Sequence, residues 1–459
     1  MALVWGLSCS FLMTNYIEVI VLLGCLIPVS MVYLYKTTVF LEDLVFCMND
    51  MNSMLIFMTM SLAFLIFLAS WSIRSSNYTL LQAVLLILLI LCFSHNNLLF
   101  FYFFFESSLI PILLMILGWG YQPERLQAGM YMIMYTVMGS MPLLFSVLYM
   151  YNSHSTLSVF YLSLLYSSLP GSFFYLAILA FLIKLPMYPV HVWLPKAHVE
   201  APLGGSMILA GVLLKLGGYG LYLFSMFWVW PTSYVGTILI ISLSLWGGFL
   251  ASIVCLTQSD IKSMIAYSSV VHMTLVIVGC LSGVSWGFNC ALLTMVAHGW
   301  ASSALFCVAY MSYEKINSRS FNYTKGLLKL YPVVSLMWFT LTLINMAVPP
   351  TINLVGELLA IPVMFLQGVP QLITLLLIMF SSVSYNMYLY TSINHGANSS
   401  YLLSSSGISS VSMLAFMGHI LPLLMILKLN FVSLYTEVCM NSVVSSVIYK
   451  ITAFVKLYL

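Results

Sequence analysis

Two glutamates and two lysines lie inside long apolar stretches of this 459-residue chain, namely Glu106, Lys184, Lys215 and Glu357. A charged side chain at the centre of a membrane helix costs roughly 2.5–3.5 kcal/mol on insertion scales. The whole chain holds only 14 Lys and Arg residues and 11 Asp and Glu residues. Ionisable residues kept at membrane depth mark ion or proton paths, so these four are the first candidates for function.

Glu106 follows the aromatic run Leu98–Phe105, and Lys184 comes just before Pro186. Buried acids and buried amines each favour their neutral forms unless an opposite charge is close. A Glu–Lys pair can therefore change its protonation state when a further charge approaches. The alternative interpretation is a static ion pair that fixes helix packing.

Lys215 lies midway along a predicted helix, in the sequence VLLKLGGYG. At that depth its ammonium does not easily reach the membrane surface. A desolvated lysine is suited to be an intermediate carrier in a proton relay. The alternative is a lysine whose long side chain extends to the interface.

Histidines supply further titratable groups, because imidazole exchanges protons near neutral pH. His272 and His298 are predicted at mid-membrane, either as relay members or as hydrogen-bonded core residues. His191 and His198 flank the sequence VWLPKA near the end of a helix, and Glu200 follows; these three are candidates for a channel mouth, with a helix cap as the alternative role of Glu200. The remaining histidines are interpreted as loop or interfacial residues: His95, His154, His395 and His419.

Other polar residues are interpreted as parts of helix ends. Asp260 and Lys262 open a predicted helix at a polar boundary, where an acid favours the helix N-terminus. The same interpretation applies to Glu124 and Arg125.

The composition places the chain in a membrane, because 62% of it is hydrophobic and 5% is charged, whereas soluble domains carry about 25% charged residues. Basic residues form no stripe, so we expect no nucleic-acid partner. The N-terminus shows no pattern of a cleaved signal or transit peptide. The sequence lacks nucleotide-binding, hydrolase and zinc-protease motifs. Its nine cysteines form no C-x-x-C pair and are expected to be small buried hydrophobes. We expect neither a metal nor a cofactor in this chain.

A helix needs about 20 apolar residues to span a bilayer, and about fourteen such segments are predicted. They cover residues 1–13, 15–35, 51–71, 78–95, 97–118, 128–151, 172–192, 202–223, 235–256, 262–282, 286–310, 333–365, 372–393 and 410–428. The first is short for a span, and 333–365 fits only if it is broken. The predicted fold is an all-α polytopic membrane protein.

Prolines near charges predict two broken helices, near residues 184–190 and 349–357. Interrupted helices at matching places in two halves of a chain indicate a transport site. The spacings from Lys184 to Glu357 and from Glu106 to His272 suggest a repeat. The predicted parts are N-terminal helices in 1–95, repeats in 78–223 and 235–393, a last helix in 410–428 and a tail in 430–459.

Basic residues predict the orientation, since they favour loops on the cytoplasmic or equivalent matrix side. Loops after odd-numbered segments hold Arg74, Arg125, Lys196, Lys262, Lys315, Arg319, Lys325 and Lys329. Ahead of the C-terminal tail, loops after even-numbered segments hold only Lys36. The odd-numbered loops are therefore predicted to face the matrix or cytoplasm. The tail, with Lys428, Lys450 and Lys456, fits this rule poorly.

Several stretches closely resemble the subunit 4 family of NADH:ubiquinone oxidoreductase, respiratory complex I. The resemblance runs from about residue 50 to 428, and its motifs are HVWLPKAHVEAP (191–202), LLKLGGYG (213–220), QPERL (122–126), DIKSMIAYSS (260–269) and PPTINLVGE (349–357). High Met and Phe content and few charges are similar to mitochondrially encoded animal members.

The resemblance implies an antiporter-like fold of fourteen helices with two inverted five-helix units. It implies that Glu106, Lys184, Lys215, His272, His298 and Glu357 form a buried proton-translocating axis. It implies neighbouring membrane-arm subunits, lipids such as cardiolipin, and FMN, iron–sulfur clusters and ubiquinone elsewhere in the complex. The implied location is the mitochondrial inner membrane, with a bacterial plasma membrane as the alternative. An Mrp-like cation/proton antiporter subunit and a non-pumping structural subunit remain the alternative functions.

Overall fold

The computed structural model describes residues 2–11, 13, 15–35, 41–42, 46–159, 161–162, 171–227, 234–397 and 407–424. Almost all of them are helical, as expected where backbone polar groups must be satisfied without water. The first half contains α1 (Ala2–Ser8), α2 (Tyr16–Tyr35), α3 (Asp50–Ala69), α4 (Ser76–Ser94), α5 (Leu98–Ser107), α6 (Leu109–Trp119), α7 (Arg125–His154), α8 (Gly171–Lys184), α9 (Trp193–Glu200), α10 (Leu203–Ile208) and α11 (Leu214–Phe227).

The second half continues with α12 (Tyr234–Thr257), α13 (Ile261–Leu281), α14 (Ser285–Ile316), α15 (Leu327–Leu330), α16 (Pro332–Asn345), α17 (Ile352–Gln367), α18 (Val369–Asn394) and α19 (Ser410–Leu424). A small antiparallel hairpin, β1 (Leu41–Glu42) and β2 (Cys47–Met48), joins α2 to α3. The sequence did not predict this hairpin. The tail predicted for 430–459 lies outside the described residues.

Within the described ranges, ten helices are long and apolar enough to cross a membrane, and five shorter apolar helices accompany them. Two of the short ones, α16 and α17, are the halves of the predicted 333–365 segment. The prediction of a polytopic all-α membrane protein with about fourteen spans and two broken helices is confirmed. The first helix is short, as its sequence indicated.

Proline shapes the helix that carries Glu106. α5 ends at Ser107 and α6 begins at Leu109, so Leu98–Trp119 is one span with a local irregularity. Pro111 has no N–H to donate to the carbonyl four residues earlier, which accounts for the interruption at Ser107. Glu106 therefore sits beside a local break in its helix.

The first predicted break follows Lys184 directly. α8 ends there, and turns connect it to α9. The backbone N–H of Leu185 donates to Phe181 O at 2.8 Å, and that of Met187 donates to Leu182 O at 3.1 Å. The indole N–H of Trp193 donates to Ile183 O at 3.0 Å. Backbone carbonyls at this buried helix end are thereby satisfied.

The second break, between α16 and α17, repeats this pattern. Backbone N–H groups of Met346 and Val348 donate to the carbonyls four and five residues earlier, at 2.9 and 3.2 Å. The Asn353 amide donates to Ile344 O at 2.8 Å. Ile344 O thus corresponds to Ile183 O, an offset of 161 residues (344 − 183). By this offset, Asn345 occupies the place of Lys184.

Four spans form the interior of the bundle, and the others expose one face to lipid. The interior spans are Asp50–Ala69, Leu203–Met226, Ile261–Leu281 and Ser285–Ile316. Three of them carry Lys215, His272 and His298. The fold therefore turns these side chains away from lipid.

Loops from both halves meet at one end of the bundle, which we call the basic end. It contains Arg74, Arg125, Lys262 and Arg319. Ser72 Oγ and the Tyr310 hydroxyl are 3.3 Å apart, and Lys262 donates to Ala201 O at 3.3 Å. These contacts join the loop after α3 to the end of α14, and the loop after α9 to the start of α13.

Candidate proton-transfer axis

Lys215 is the centre of the polar interior. Its side chain is fully buried, and Nζ donates to Ala210 O at 2.6 Å. A π-helical segment, Leu209–Leu213, precedes it. Nζ also lies 2.9 Å from Nδ1 of His298. One amine therefore contacts a backbone acceptor and a titratable imidazole.

The contacts continue from His298 to His272. Their ring centroids are 5.6 Å apart, and both side chains are buried. His272 Nε2 lies 3.5 Å from the Tyr385 hydroxyl, and Asn345 is a further hydrogen-bond partner of His272. Lys215, His298 and His272, predicted from sequence as relay candidates, thus lie in a row through the bundle.

Two buried asparagines extend this row, and the sequence interpretation missed both. Asn345 donates through Nδ2 to Oδ1 of Asn386 at 2.9 Å, and Asn386 donates to Ser382 O at 2.9 Å. Asn345 ends α16 at the place that Lys184 holds in α8. The equivalence of the two breaks was the signal that could have identified it.

Glu106 and Lys184 are neighbours, but they do not form an ion pair within the described part of the chain. Lys184 Nζ lies 4.1 Å from the centre of the Phe105 ring, next to Glu106 in sequence. The charges are close enough to interact electrostatically, and Ser140 is a hydrogen-bond partner of Glu106. Glu106 Oε1 and Lys184 Nζ have no hydrogen-bond partner among the described residues. Each group is thus free to form a closer pair or to contact water.

The helices that carry Lys184 and Lys215 pack tightly because a glycine lies between them. A Cβ atom on Gly217 would lie 3.1 Å from Lys184 Cβ and 3.0 Å from Leu185 Cγ. A Cβ atom on Gly299 would lie 3.2 Å from Gly211 O, on the segment that precedes Lys215, and 3.5 Å from Lys215 Cε. The two lysine-bearing helices and the His298 helix can approach closely because these positions lack side chains.

Glu357 lies in the second half of the broken helix and is half-buried. It interacts electrostatically with Tyr385 and with Cys290. The Cys290 thiol donates to Gly356 O at 3.2 Å, which fixes α14 against α17. Glu357 therefore approaches the axis through Tyr385, and no hydrogen bond to a histidine is present among the described residues.

His198 lies between the axis and the basic end. It is completely buried and stacks on Phe306 with ring centroids 4.8 Å apart. Burial, with smaller contributions from Lys262 and Lys215, lowers the pKa of His198 to about 3. The imidazole is therefore neutral near pH 7. Neither ring nitrogen has a hydrogen-bond partner among the described residues.

Glu200, Lys262 and Arg319 form a charged cluster at the basic end. Arg319 Nη2 lies 3.6 Å from Glu200 Oε1, and Nε lies 3.6 Å from Asp260 Oδ2. Arg319 also donates to Gln122 Oε1 at 2.7 Å. Lys262 is buried and lies within electrostatic range of Glu200 and His198. Lys262 therefore belongs to this charged cluster in addition to lying at the start of a helix.

His191 is further from this cluster. Its ring stacks on Tyr188 at 4.9 Å and meets the edge of Tyr267 at 5.9 Å. Of the three predicted mouth residues, His198 and Glu200 lie beside Lys262, whereas His191 packs among tyrosines at the helix break.

One histidine interpretation was wrong. His419 lies inside α19 and is completely buried, with Nδ1 2.7 Å from Ala415 O. It is neither a loop nor an interfacial residue, because its helix packs against α3 and α14. Hydrophobicity alone did not indicate which face of α19 is covered.

Comparisons with known proteins agree with this arrangement. Residues 95–384 match the family described as NADH:quinone oxidoreductase/Mrp antiporter, transmembrane. The NADH-ubiquinone oxidoreductase chain 4 of Albinaria caerulea is 45% identical over 409 residues, which cover 88% of this chain and 93% of that protein. The chain 4 protein of Aedes aegypti is 48% identical over 332 residues, covering 72% and 73% of the two chains.

A solved structure of respiratory complex I from Thermus thermophilus with bound NADH contains a chain of the same fold. The TM-score is 0.79 at 22% identity, with 92% of this chain and 93% of that chain covered. The match to the family extends over more than half of the sequence, including all six predicted axis residues. The chain therefore belongs to the NADH:quinone oxidoreductase/Mrp antiporter transmembrane family.

Proposed function

We propose that this chain is a proton-translocating, antiporter-like subunit of an NADH:ubiquinone oxidoreductase. The observation that carries the proposal is the buried contact series Lys215–His298–His272. Groups that can each gain and lose a proton lie next to one another across the bundle interior. The high identity to chain 4 proteins supports the oxidoreductase complex as the assembly in which it works.

In the proposed mechanism, redox energy released elsewhere in the complex changes the charge near Glu106. Lys184 approaches Glu106 in one state and moves away in the other, so its protonation changes with the pairing. A nearby charge on Lys184 then alters the protonation of Lys215 across the Gly217 contact. Lys215 passes the proton to His298, and His298 passes it to His272. Glu357 exchanges protons with the far end through the Tyr385 region.

Proton entry is proposed at the basic end. His198 lies between Lys215 and Lys262 and is neutral, so one ring nitrogen can accept a proton while the other donates. Glu200 and Arg319 fix the polar opening outside it. Because basic loops favour the inner side of a membrane, this opening is proposed to face the mitochondrial matrix.

The proposed location is the mitochondrial inner membrane, with other membrane-arm subunits, including further antiporter-like ones, as neighbours. Lipids such as cardiolipin are proposed to cover the apolar perimeter. FMN, iron–sulfur clusters and ubiquinone are proposed to reside in other parts of the complex. We accordingly expect the isolated chain to catalyse no electron transfer from NADH.

The Lys184→Ala variant tests pumping against a purely structural role. In an assembled complex, we expect the ratio of protons translocated to electrons transferred to fall, because the Glu106 partner is lost. Proton uptake by sealed inner-membrane vesicles, measured together with NADH oxidation, gives this ratio. An unchanged ratio in a fully assembled complex would instead support a structural spacer.

A cation/proton antiporter of the Mrp type would behave differently. Its transport would depend on sodium and would proceed without NADH. Reconstituting the purified chain in vesicles with and without a sodium gradient separates the two functions, and we expect no sodium-dependent proton flux.

A further inference from the structure

The helix α14 is longer than the hydrocarbon layer is thick, and its C-terminal end lies at the basic end. This helix has 32 residues, which at about 1.5 Å per residue gives a length of roughly 48 Å, against about 30 Å for the hydrocarbon core. Its last two turns carry Tyr310 and Glu314. The Glu314 side chain is exposed, and Tyr310 is half-buried.

The Tyr310 hydroxyl is the centre of a hydrogen-bonded group of side chains at the basic end. It lies 3.3 Å from Ser72 Oγ. Glu314, one helical turn further along, and Tyr121, on the loop before α7, are its other hydrogen-bond partners. Tyr121 also packs against the Tyr313 ring, with centroids 5.9 Å apart.

Tyr121 in turn borders the charged cluster at the channel mouth. Lys262 Nζ lies 5.0 Å from the centre of the Tyr121 ring. On one side of Tyr121, a Cβ atom on Gly120 would lie 3.0 Å from Glu200 O. On the other side, Gln122 accepts a hydrogen bond from Arg319, which contacts Glu200. Glu314, Tyr310 and Tyr121 thus form a hydrogen-bonded series, and this series ends next to Lys262 and the Gly120–Glu200 backbone contact at the mouth.

We propose that Glu314 collects protons at the basic end and that Tyr310 and Tyr121 conduct them to the mouth formed by Glu200 and Lys262. This inference rests on the proposed function and assigns Glu314 as the outermost proton acceptor. An exposed carboxylate suits this task because it attracts protons and exchanges them rapidly with water.

During the proposed transfer, each tyrosine hydroxyl gains one proton and loses one. Protonated Glu314 gives its proton to the Tyr310 oxygen as the original Tyr310 proton moves to the Tyr121 oxygen. The original Tyr121 proton then passes through water to the Glu200 carboxylate, because neither Glu200 oxygen has a direct hydrogen-bond partner among the described residues. Glu314 returns to its ionised form, and both tyrosines remain neutral.

Other charged groups near this series do not replace Glu314. Lys315, on the same helix, donates to Gly407 O at 3.4 Å and lies over the Tyr331 ring. The charged groups on the elements packed nearby are Lys262, Arg319, Glu200 and Asp260, with Arg74 on the loop that carries Ser72, and Glu124 and Arg125 shortly after Tyr121. Arg319 engages Glu200 and Asp260.

The pH dependence of proton uptake tests the inference in the intact complex. For Glu314→Gln, we expect NADH-driven uptake to equal that of the unaltered complex at acidic pH, where protons are plentiful. At alkaline pH it should fall by about tenfold, the lower limit expected for loss of local charge focusing. Glu314→Asp should restore most of the rate.

Glu124→Gln is the matched control, because it removes an exposed acid from the same end of the bundle. It should leave the pH profile unchanged. If Glu314→Gln and Glu124→Gln give the same profile, Glu314 is not the collecting group and the inference fails.

A second pair of variants tests the tyrosines. Tyr310→Phe removes a hydroxyl from the series, whereas Tyr313→Phe keeps the ring packing on Tyr121 and removes a hydroxyl outside it. We expect only Tyr310→Phe to reproduce the alkaline loss. Equal profiles for both variants overturn the tyrosine route. Normal profiles here, with loss of pumping in Lys184→Ala, would refute this inference and leave the proposed function intact.

Discussion

Lys215 has two partners within reach, and its protonation state decides how it can bond to each of them. A protonated amine can donate to Ala210 O and to His298 together, whereas a neutral amine can also accept a proton from the imidazole. The geometry is therefore suited to exchange as well as to static packing. In an exchange role the proton leaves Lys215, whereas in a static packing role the proton stays on it.

The Lys215→Arg variant separates charge from proton exchange. Arginine keeps a positive charge but is not deprotonated in proteins. We expect pumping to be lost, as in Lys215→Ala, although the charge is retained. Vesicle proton uptake measures the effect, and the amount of assembled complex serves as the control for folding. Normal pumping by an assembled arginine variant would show that Lys215 acts through its fixed charge alone.

Asn345 has a different role, because its side-chain amide forms hydrogen bonds with neighbouring side chains but does not gain or lose protons. It bonds Asn386 and His272 at once. Removing one partner of a buried hydrogen bond costs about 1–3 kcal/mol. We expect Asn345→Ala to destabilise the complex by this amount and to slow pumping by disordering His272.

A double-mutant cycle with Asn386→Ala checks this expectation. Thermal inactivation of the complex should show that the double variant is little worse than either single one, since both remove the same bond. Strictly additive losses would mean that the two asparagines act independently.

At the scale of elements, helix contacts set the separation of the charged groups. Gly217 lets the Lys215 helix approach the end of α8, where a Cβ atom would lie 3.0–3.2 Å from Leu185, Lys184 and the Phe181 carbonyl. A backbone carbonyl cannot rotate away as a side chain can. Any side chain at this position must therefore move one helix relative to the other.

Gly217→Val tests the contact. We expect a loss of about 1–3 kcal/mol from overpacking and a lower proton-to-electron ratio, because the Lys184–Lys215 separation grows. Gly118→Val is the matched control, since a Cβ atom there meets nothing within 4 Å. Thermal inactivation and vesicle pumping should be normal in the control. Equal behaviour of the two variants would contradict a role for helix separation.

Sequence reasoning succeeded where length and proline content decide the structure. Apolar runs of about 20 residues located the spans, and prolines located both breaks. It did not determine how each helix is rotated. The distance between Glu106 and Lys184 and the burial of His419 could therefore not be predicted. Both depend on which face of a helix packs against a neighbouring helix.

The whole molecule adds contacts between distant loops that no local pattern indicates. Lys262 follows Asp260 at a helix start, and the sequence there reads as an ordinary polar boundary. In the folded chain it lies under Tyr121 and next to Glu200, both more than 60 residues earlier. The channel mouth thus exists only after the loops of both halves come together.

Arg319 connects these loops, and its planar guanidinium suits the task. It contacts Gln122, Val199 and Glu200 from the first half and Asp260 from the second. A lysine offers a single point of charge and cannot hold several acceptors in a fixed geometry. We expect Arg319→Lys to keep assembly but to slow proton uptake at the basic end, because Glu200 loses its position beside Lys262.

Arg74→Lys provides the comparison for this variant, since the hydrogen bond and ring contact of Arg74 among the described residues are both with Trp71 of its own loop, beside an electrostatic interaction with Tyr16. Proton uptake should be normal in Arg74→Lys and reduced in Arg319→Lys, while NADH oxidation by an artificial acceptor that bypasses the membrane arm stays normal in both. If Arg319→Lys pumps normally, the loops hold the mouth without this residue. The charged cluster would then form because the fold brings its residues together, and the cluster would not determine the geometry of the mouth.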